Sequence, residues 1–448
     1  MEAATHIIGR QSLQLRYRGN TDVPALRNML SQLCAESLPK HLDNLFSRYD
    51  QDDQVLRIDR LHVNISLRDT EDLEGELARA IIEQTEAQLI KALTHGNGTT
   101  VRKSKSFTDA LLFYLAHGFL PWWLGGLTKS EFQTALAESW QGASLQQIVQ
   151  ETAPMLASAQ IRSRFLSMLD TPQFEAWVLA TGRWQQEAWK AFKDYVKRAS
   201  GERISEEDNA TFEFIWKNVV LETIYASANT DQAISRLQAR LEQHKARKGS
   251  LDQLPLTNRP SEVPFNDAND EREDARLLRA PADGDAIYVC NAGLVLLAPY
   301  LPTLFRNTGM IKSGIIQNIP RAIALLRYLV YEDAGYEEYE VVLEKILCGL
   351  PLTESIDWRH NISAEEMDEA DGLLQSAIGH WTALKGTSPA GLREGFLKRE
   401  GRLSLEAGQW ELKVQKKAQD VLLDFLPWSF NMIRLQWMEQ LLIVKWNT

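Results

Sequence analysis

Apolar and polar positions alternate at the start of the chain and then fall into a helical rhythm. Ile8 to Tyr17 reads as a strand, with Leu13, Leu15 and Tyr17 on one side. Asp22 and Pro24 mark a helix start, after which Leu26, Leu30 and Leu33 share a face. Pro39 predicts a break and a second helical piece carrying Leu42, Leu45 and Phe46. From Val55 to Leu67, Leu61, Val63, Ile65 and Leu67 oppose His62, Asn64 and Ser66, which predicts another strand. Thr70 is the expected cap of a long helix on which Leu73, Leu77 and Ile81 repeat. Residues 1–95 are therefore expected to form a small α/β module.

A loop, HGNGTTVRKSKS, is expected next, followed by a helical middle region over residues 96–248. Leu111, Leu112 and Leu115 form a helical patch that Gly118 and Pro121 should end. Trp122, Trp123, Trp140, Trp177, Trp184, Trp189 and Trp216 recur at intervals suited to wedging between packed helices. Two amphipathic helices are expected around Phe212–Val219 and Ile234–Leu241, and no heptad is sustained, which argues against a long coiled coil. Residues 249–285 then carry four prolines in an acidic, aperiodic stretch and read as a linker.

From residue 286 to 448 the pattern predicts a mostly helical α+β domain. Ile287–Val289 is a short strand candidate, and Asn291 precedes an apolar run closed by Pro299 and Pro302. Arg321–Val330 reads as a buried helix. Ser363 with Glu366 forms a capping box for the next, which ends near Trp381. Ser388 and Pro389 start another, with Lys398 and Arg399 near its C-terminal end. Trp410, Leu412 and Val414 alternate as a strand, Leu441–Trp446 reads as a final one, and the two are expected to pair across a helix at Val421–Phe425. The whole chain is thus expected to be α+β and mostly helical.

Composition narrows the function more than it identifies one. With 44% hydrophobic and 24% charged residues, the chain of 448 is ordinary globular material, long enough for two or three domains. A net charge of −11 argues against a nucleic-acid backbone or an anionic membrane as the main partner. No run approaches the ~18 apolar residues of a membrane span, and the first residues lack the pattern of a secretory leader. Cys34, Cys290 and Cys348 are far apart and read as reduced, buried thiols of a cytosolic protein.

Candidate chemistry is sparse. The eight histidines form no HxH, HExxH or Cys/His cluster, so no metal site is expected. His380 beside Trp381 reads as an ordinary helix-face histidine. Gly96-Asn97-Gly98 lacks the Gly-Lys-Ser/Thr of a phosphate loop, and Arg102, Lys103 and Lys105 beside it read as a solvated basic loop. No nucleophile elbow, dinucleotide fingerprint or kinase set is present. The acidic run Glu365–Glu369 suits the first turn of a capped helix better than a calcium loop. Catalysis, cofactor and metal are all expected to be absent.

A series of longer phrases carries more. They are NAGLVLLAPYLPTLF from Asn291, RAIALLRYLV from Arg321, LEKILCGLP from Leu343, LLQSAIGHWTALKGTSPAGLREGFLKREG from Leu373, and DFLPWSF with RLQWM near the end. HIIGRQSLQL at His6, VLRIDRLHVNI at Val55 and FYLAHGFLPWW at Phe113 join them. In this order and spacing the chain resembles the tape measure proteins of contractile injection systems, phage-tail-like particles with a contractile sheath around an inner tube. Near the C-terminus it has Leu435-Gln436-Trp437-Met438 where the family has LPWM. The resemblance implies a structural protein, not an enzyme, that sets or templates the length of tube and sheath during assembly in the cytoplasm, and then resides in the particle. Its implied partners are the inner tube and baseplate, hub or cap components, with self-association left open.

A ruler that works by its own length should be a rod. As one helix, 448 residues would reach at most ~670 Å. Fifteen prolines and twenty-five glycines oppose that, and the longest proline-free run, Gln173 to Leu254, would give a helix of only ~120 Å. A folded assembly chaperone or adaptor that nucleates the tube on the baseplate is therefore the alternative. The residues expected to matter are structural. The NAGLVLLAPYLP turn places Pro299 and Pro302 around Tyr300, and Trp381 is a further candidate. Pro427-Trp428 and Trp437-Met438 are expected to supply a packed aromatic patch, either domain core or a docking surface for tube or baseplate.

Overall fold

A computed structural model describes residues 6, 8, 11, 13, 23–50, 54–58, 60–66, 72–95, 98–124, 129–140, 142–199, 206–225, 230–248, 286–356 and 362–446. The expected linker over 249–285 lies outside the described residues, as does most of the strand expected over Ile8–Tyr17. The chain divides into two compact units, Met1–Thr108 and Asp109–Thr448, and is mostly helical with a smaller β component.

In the first unit, helix α1 (Val23–Gln32) runs through a π-helical turn, Leu33–Ser37, into α2 (Leu38–Phe46). The second helical piece expected at Pro39 is α2, with Pro39 in its first turn, where a missing N–H has no helical partner to lose, and the π-helical turn takes the place of a loop between the two. Leu33, Leu38 and Leu42 pack on Leu77 and Ile81 of the long helix α3 (Leu73–His95). Thr70 lies outside the described residues, and the carboxylate of Asp72 accepts from the Gly75 N–H at 3.0 Å at this helix start.

Two expectations here are overturned. The strand β1 covers only Gln54–Ile58, and Leu61–Ser66 have no regular structure. Its antiparallel partner β2 is Gly98–Arg102, so the expected loop is a strand, and Lys103 and Lys105 belong to the following helix α4 (Lys103–His117). Five paired residues exhaust the ladder, which is why β1 stops where it does despite the alternation beyond it.

The second unit opens with helices that follow the tryptophans: α5 (Lys129–Ser139), α6 (Gly142–Thr152), α7 (Ala159–Met168), α8 (Thr171–Ala180), α9 (Gln186–Ala199), α10 (Glu206–Tyr225) and α11 (Thr230–Lys248). Trp184, Trp189 and Trp216 are buried in one aromatic network with Phe174 and Phe192, and Trp177 is buried against Phe165, which also meets Trp140. Two of the indoles find polar partners: Trp140 Nε1 donates to the Gln173 carbonyl at 2.7 Å and Trp177 Nε1 to Thr152 Oγ1 at 3.0 Å, whereas the buried Trp189 Nε1 has none.

The remainder of this unit is built on strand β3 (Ile287–Val289), a 3-10 segment (Ala292–Tyr300) and α12 (Leu301–Asn307). After the small hairpin of β4 (Ile311–Lys312) and β5 (Ile315–Ile316) come α13 (Ile319–Tyr331), α14 (Val342–Leu347), α15 (Ala364–His380) and α16 (Pro389–Leu392). Ser363 and Glu366 make the reciprocal capping box expected for α15. A five-stranded sheet follows with order β3-β6-β7-β9-β8, where β6 is Gly401–Glu406, β7 Gln409–Val414, β8 Met432–Ile433 and β9 Leu442–Trp446. The pairing of β7 with β9 across the turn at Ala418–Phe425 is observed, and it is parallel. The β6 strand was not foreseen. It joins β7 through Ala407 and Gly408, both at positive φ, which gives the hairpin turn whose twist matches that of its strands.

The cysteines divide by position. Cys348 is buried and Cys34 half-buried, but Cys290 is exposed, because Ile287 and Val289 take the inward places on β3 and push the alternate residues outward. A Cβ on Gly293 would overlap the Phe396 carbonyl oxygen, so the 3-10 segment meets the chain at Phe396–Leu397 at backbone distance. Gly293→Ala is expected to destabilise the protein by about 1–3 kcal/mol, read as a lowered denaturant midpoint. An unchanged midpoint would show that this contact relaxes freely.

Candidate functional site

Tryptophans, a few prolines and buried charges organise the second unit. The 3-10 segment Ala292–Tyr300 is too apolar to face water, and its seven residues from Ala292 to Ala298 are buried. Such a helix pairs each carbonyl with the N–H three residues on. Leu296 has Pro299 at that place, which carries no N–H. Trp428 Nε1 supplies the missing donor at 2.9 Å. Its indole stands edge-on to the Tyr300 ring, centroids 5.1 Å apart, and lies 6.5 Å from the Trp381 ring. The Tyr300 hydroxyl in turn is hydrogen-bonded to His380 Nδ1 at 2.8 Å, with the two rings stacked. His380 is thus an exposed helix-end histidine with a tyrosine partner.

Trp381 sits deeper, 1% exposed, against Phe396 at 4.8 Å, and donates to the Leu422 carbonyl at 3.0 Å. Trp437 belongs to a separate place. It leans on Phe305 at 5.5 Å and donates to the Leu347 carbonyl at the C-terminal end of α14 at 2.8 Å, one of the groups a helix end leaves unpaired. Met438 beside it is buried. The structure therefore brings Tyr300, Trp381 and Trp428 together and sets Trp437 and Met438 apart from them. Pro302 is half-buried in the first turn of α12, and Pro427 is exposed.

Three further apolar side chains in this stretch face outward and were not singled out by pattern: Val421, Phe425 and Met432, at 64%, 65% and 68% exposure. Val421 and Phe425 both lie in the 3-10 segment Ala418–Phe425, in which Leu423 turns inward. The sequence offered no means of telling which of these neighbouring hydrophobes would be outside.

A second set of residues escaped sequence reasoning because it joins positions far apart. Arg164 on α7 is 1% exposed and pairs with Glu338 at 3.1 Å, and the buried Lys345 on α14 pairs with the same carboxylate at 2.5 Å. Two cations then share one anion. The remaining donors meet carbonyls: Arg164 reaches Leu115, Ala116 and Thr353, and Lys345 reaches Leu352 and Glu354. Burial pulls the Lys345 ammonium down to about 8, with Glu338 opposing that pull. Gly118 at the end of α4 has φ +80°, and a Cβ there would lie 2.6 Å from Glu338 Oε1, so only glycine admits the carboxylate. Arg399, expected near a helix end, is likewise fully buried and paired with Asp420, which also accepts from Trp446 Nε1 at 3.1 Å.

Among the described residues no group of three or more His, Cys, Asp or Glu side chains could hold a metal ion, and no helix is long and apolar enough to cross a membrane. What is concentrated here is structural: aromatic donors on orphaned carbonyls and buried ion pairs that bind distant segments into one body. These are the features of a folded architectural protein. The chain belongs to the family described as contractile injection system tape measure protein, whose model matches residues 5–446. No curated protein and no solved structure matches it.

Two substitutions separate these contributions. Trp428→Phe keeps a ring beside Tyr300 but strands the Leu296 carbonyl, and is expected to lower stability by about 1 kcal/mol; Trp428→Ala should lose about 3 kcal/mol. Arg164→Met leaves the buried Glu338–Lys345 pair but strands the Leu115, Ala116 and Thr353 carbonyls that Arg164 satisfies, and should destabilise by about 3 kcal/mol or more. Urea titration of each variant followed by tryptophan fluorescence checks the ranking.

Proposed function

We propose that this chain sets or templates the length of the inner tube and sheath of a contractile injection particle from one end of the tube, as a folded body. Family membership supports the role in particle assembly. The observation that carries the mode of action is the buried Arg164–Glu338–Lys345 cluster, which ties α4, α7, α14 and residues 352–354 into one unit. A chain drawn out along a lumen would have to break it. The longest described helix, α3, has 23 residues, which is ~35 Å, far short of a rod. The same cluster favours the second reading, an assembly chaperone or adaptor that nucleates the tube on the baseplate and does not measure it.

In this proposal the partners are tube, baseplate or cap components, met during assembly in the cytoplasm, and no catalytic step is involved. The docking face is the outer side of the aromatic stretch: Pro427 with Val421, Phe425 and Met432, backed by the packed Tyr300, Trp381 and Trp428. Pro302, Trp437 and Met438 take part as the support that holds this stretch on α12 and α14.

Insertion of about 40 helix-forming residues between Gly249 and Asp285 tests the mode of action. An extended ruler lengthens particles by ~60 Å, whereas an end-bound folded body leaves their length unchanged in electron micrographs. Mass spectrometry of finished particles separates the two folded readings, since a length-setting body stays and a chaperone is absent. Phe425→Ser with Met432→Ser should alter stability by no more than about 0.5 kcal/mol, because both side chains already face solvent, yet reduce the yield of complete particles. A wild-type yield would remove this face from the docking surface.

A further inference from the structure

Asn291 and Glu344 meet in the interior of the second unit. Asn291 stands at the entry to the 3-10 segment Ala292–Tyr300, and Glu344 lies in α14. They are 1% and 0% exposed. Asn291 Nδ2 donates to Glu344 Oε1 at 2.6 Å. The second oxygens of the same two planar groups, Asn291 Oδ1 and Glu344 Oε2, are buried and have no hydrogen-bond partner. Two unpaired acceptors on one buried pair is an unfavourable arrangement for an ionised carboxylate. It becomes a complete one when the carboxyl carries a proton, because an O–H on Oε2 can donate to Oδ1 while Nδ2–H donates to Oε1.

We propose that Glu344 is protonated in the folded protein and closes a ring of two hydrogen bonds with Asn291, a lock that fastens the 3-10 segment to α14 and is released when the proton is lost. The surrounding charges agree. Arg327 on α13 is the cation facing Glu344, and it is engaged by Glu340 at 3.2 Å and lies over the Tyr331 ring at 3.9 Å. Glu340, in the turn before α14, repels a charge at Glu344. Tyr331 on α13 and Cys348 just after α14 are both pushed up by burial and stay neutral, so neither compensates one. Burial raises the Glu344 carboxyl to about 7, against the opposing pull of Arg327, its own backbone N–H and Asn291.

The sign follows from proton counting. The unfolded carboxyl titrates near its ordinary 4.5, so between there and about 7 the folded state holds a proton that the unfolded state has lost. The stability this lock contributes is complete below the lower value and is lost as pH rises through the upper one. Across that window the unfolding constant should increase on the order of a hundredfold through this group alone.

The test compares the full-length protein with Glu344→Gln, whose amide N–H replaces the acid O–H at every pH. Denaturant titrations from about pH 5 to about pH 8 should show wild type losing resistance, and E344Q lacking that component and exceeding wild type at the upper end. A variant that keeps the wild-type pH slope, or is less stable at both ends, overturns the proposal. Hydrogen exchange on wild type gives a reading that does not depend on the variant folding. After correction for the chemical exchange rate, peptides covering residues 287–300 and 342–348 should open more readily across this window, while those of α8 and α9 do not. Equal behaviour of all four would equally overturn it.

Discussion

The second unit depends on one buried carboxylate. Glu338 is nearly inaccessible to water and is claimed by Arg164 from α7 and Lys345 from α14. A lone buried charge is expensive, and two cations around one anion leave a surplus positive charge. Five main-chain carbonyls take up that surplus, coming from the end of α4 and from residues 352–354. Each of those carbonyls belongs to a segment that must therefore be in place at the same time. The arrangement converts what would be an energetic burden into a geometric requirement: distant pieces of chain, joined by hydrogen bonds that span as many as 189 positions, fold together or leave charges stranded. Gly118 reads as part of the same requirement, since its absent side chain is where the carboxylate lies.

Around this centre the chain closes its other gaps with donors borrowed from afar. Pro299 removes an N–H and Trp428 replaces it; α14 ends on an open carbonyl and Trp437 covers it. Asp420 gathers Arg399, Trp446 and the Lys417 N–H, joining the hairpin, the turn between the paired strands and the last strand. Trp428 and Trp437 each serve both as apolar filler and as the polar partner of backbone that local structure leaves unpaired. Trp140 and Trp381 are used in the same double way.

Legibility in the sequence tracked how local each determinant is. The α15 capping box needs only Ser363 and Glu366, three residues apart, and the β7–β9 pairing follows from two alternating runs, so both could be read. The β6 strand could not, because its turn is Ala407-Gly408 and not the Asn-Gly or Asp-Gly that signals a tight hairpin. Alternation over Leu61–Ser66 misled for the opposite reason: it describes which side chains face inward, not whether a second strand lies alongside. At the candidate site, the tryptophans and prolines were visible as residue types, but which carbonyl each indole serves is a tertiary fact. Charges were least legible, since Arg164, Lys345 and Arg399 look like any surface cation until their partners are known.

That distribution bears on the role proposed above in tube assembly. In an extended ruler, information resides in contour length, and the stabilising interactions should be local along the chain so that each segment holds independently of the next. Here the decisive interactions span great sequence distances and converge on a few buried groups, the opposite pattern. Pulling the second unit into a rod would expose the Glu338 cluster, the Arg399–Asp420 pair and the tryptophan–carbonyl contacts together, and nothing in an extended form replaces them. A surface held by such a core is suited to presenting fixed shapes to a neighbour, and the outward Val421, Phe425 and Met432 lie beside Leu423 and Ile433, which belong to that core. Length would then be set by what is gathered on that surface, not by the span of the chain itself.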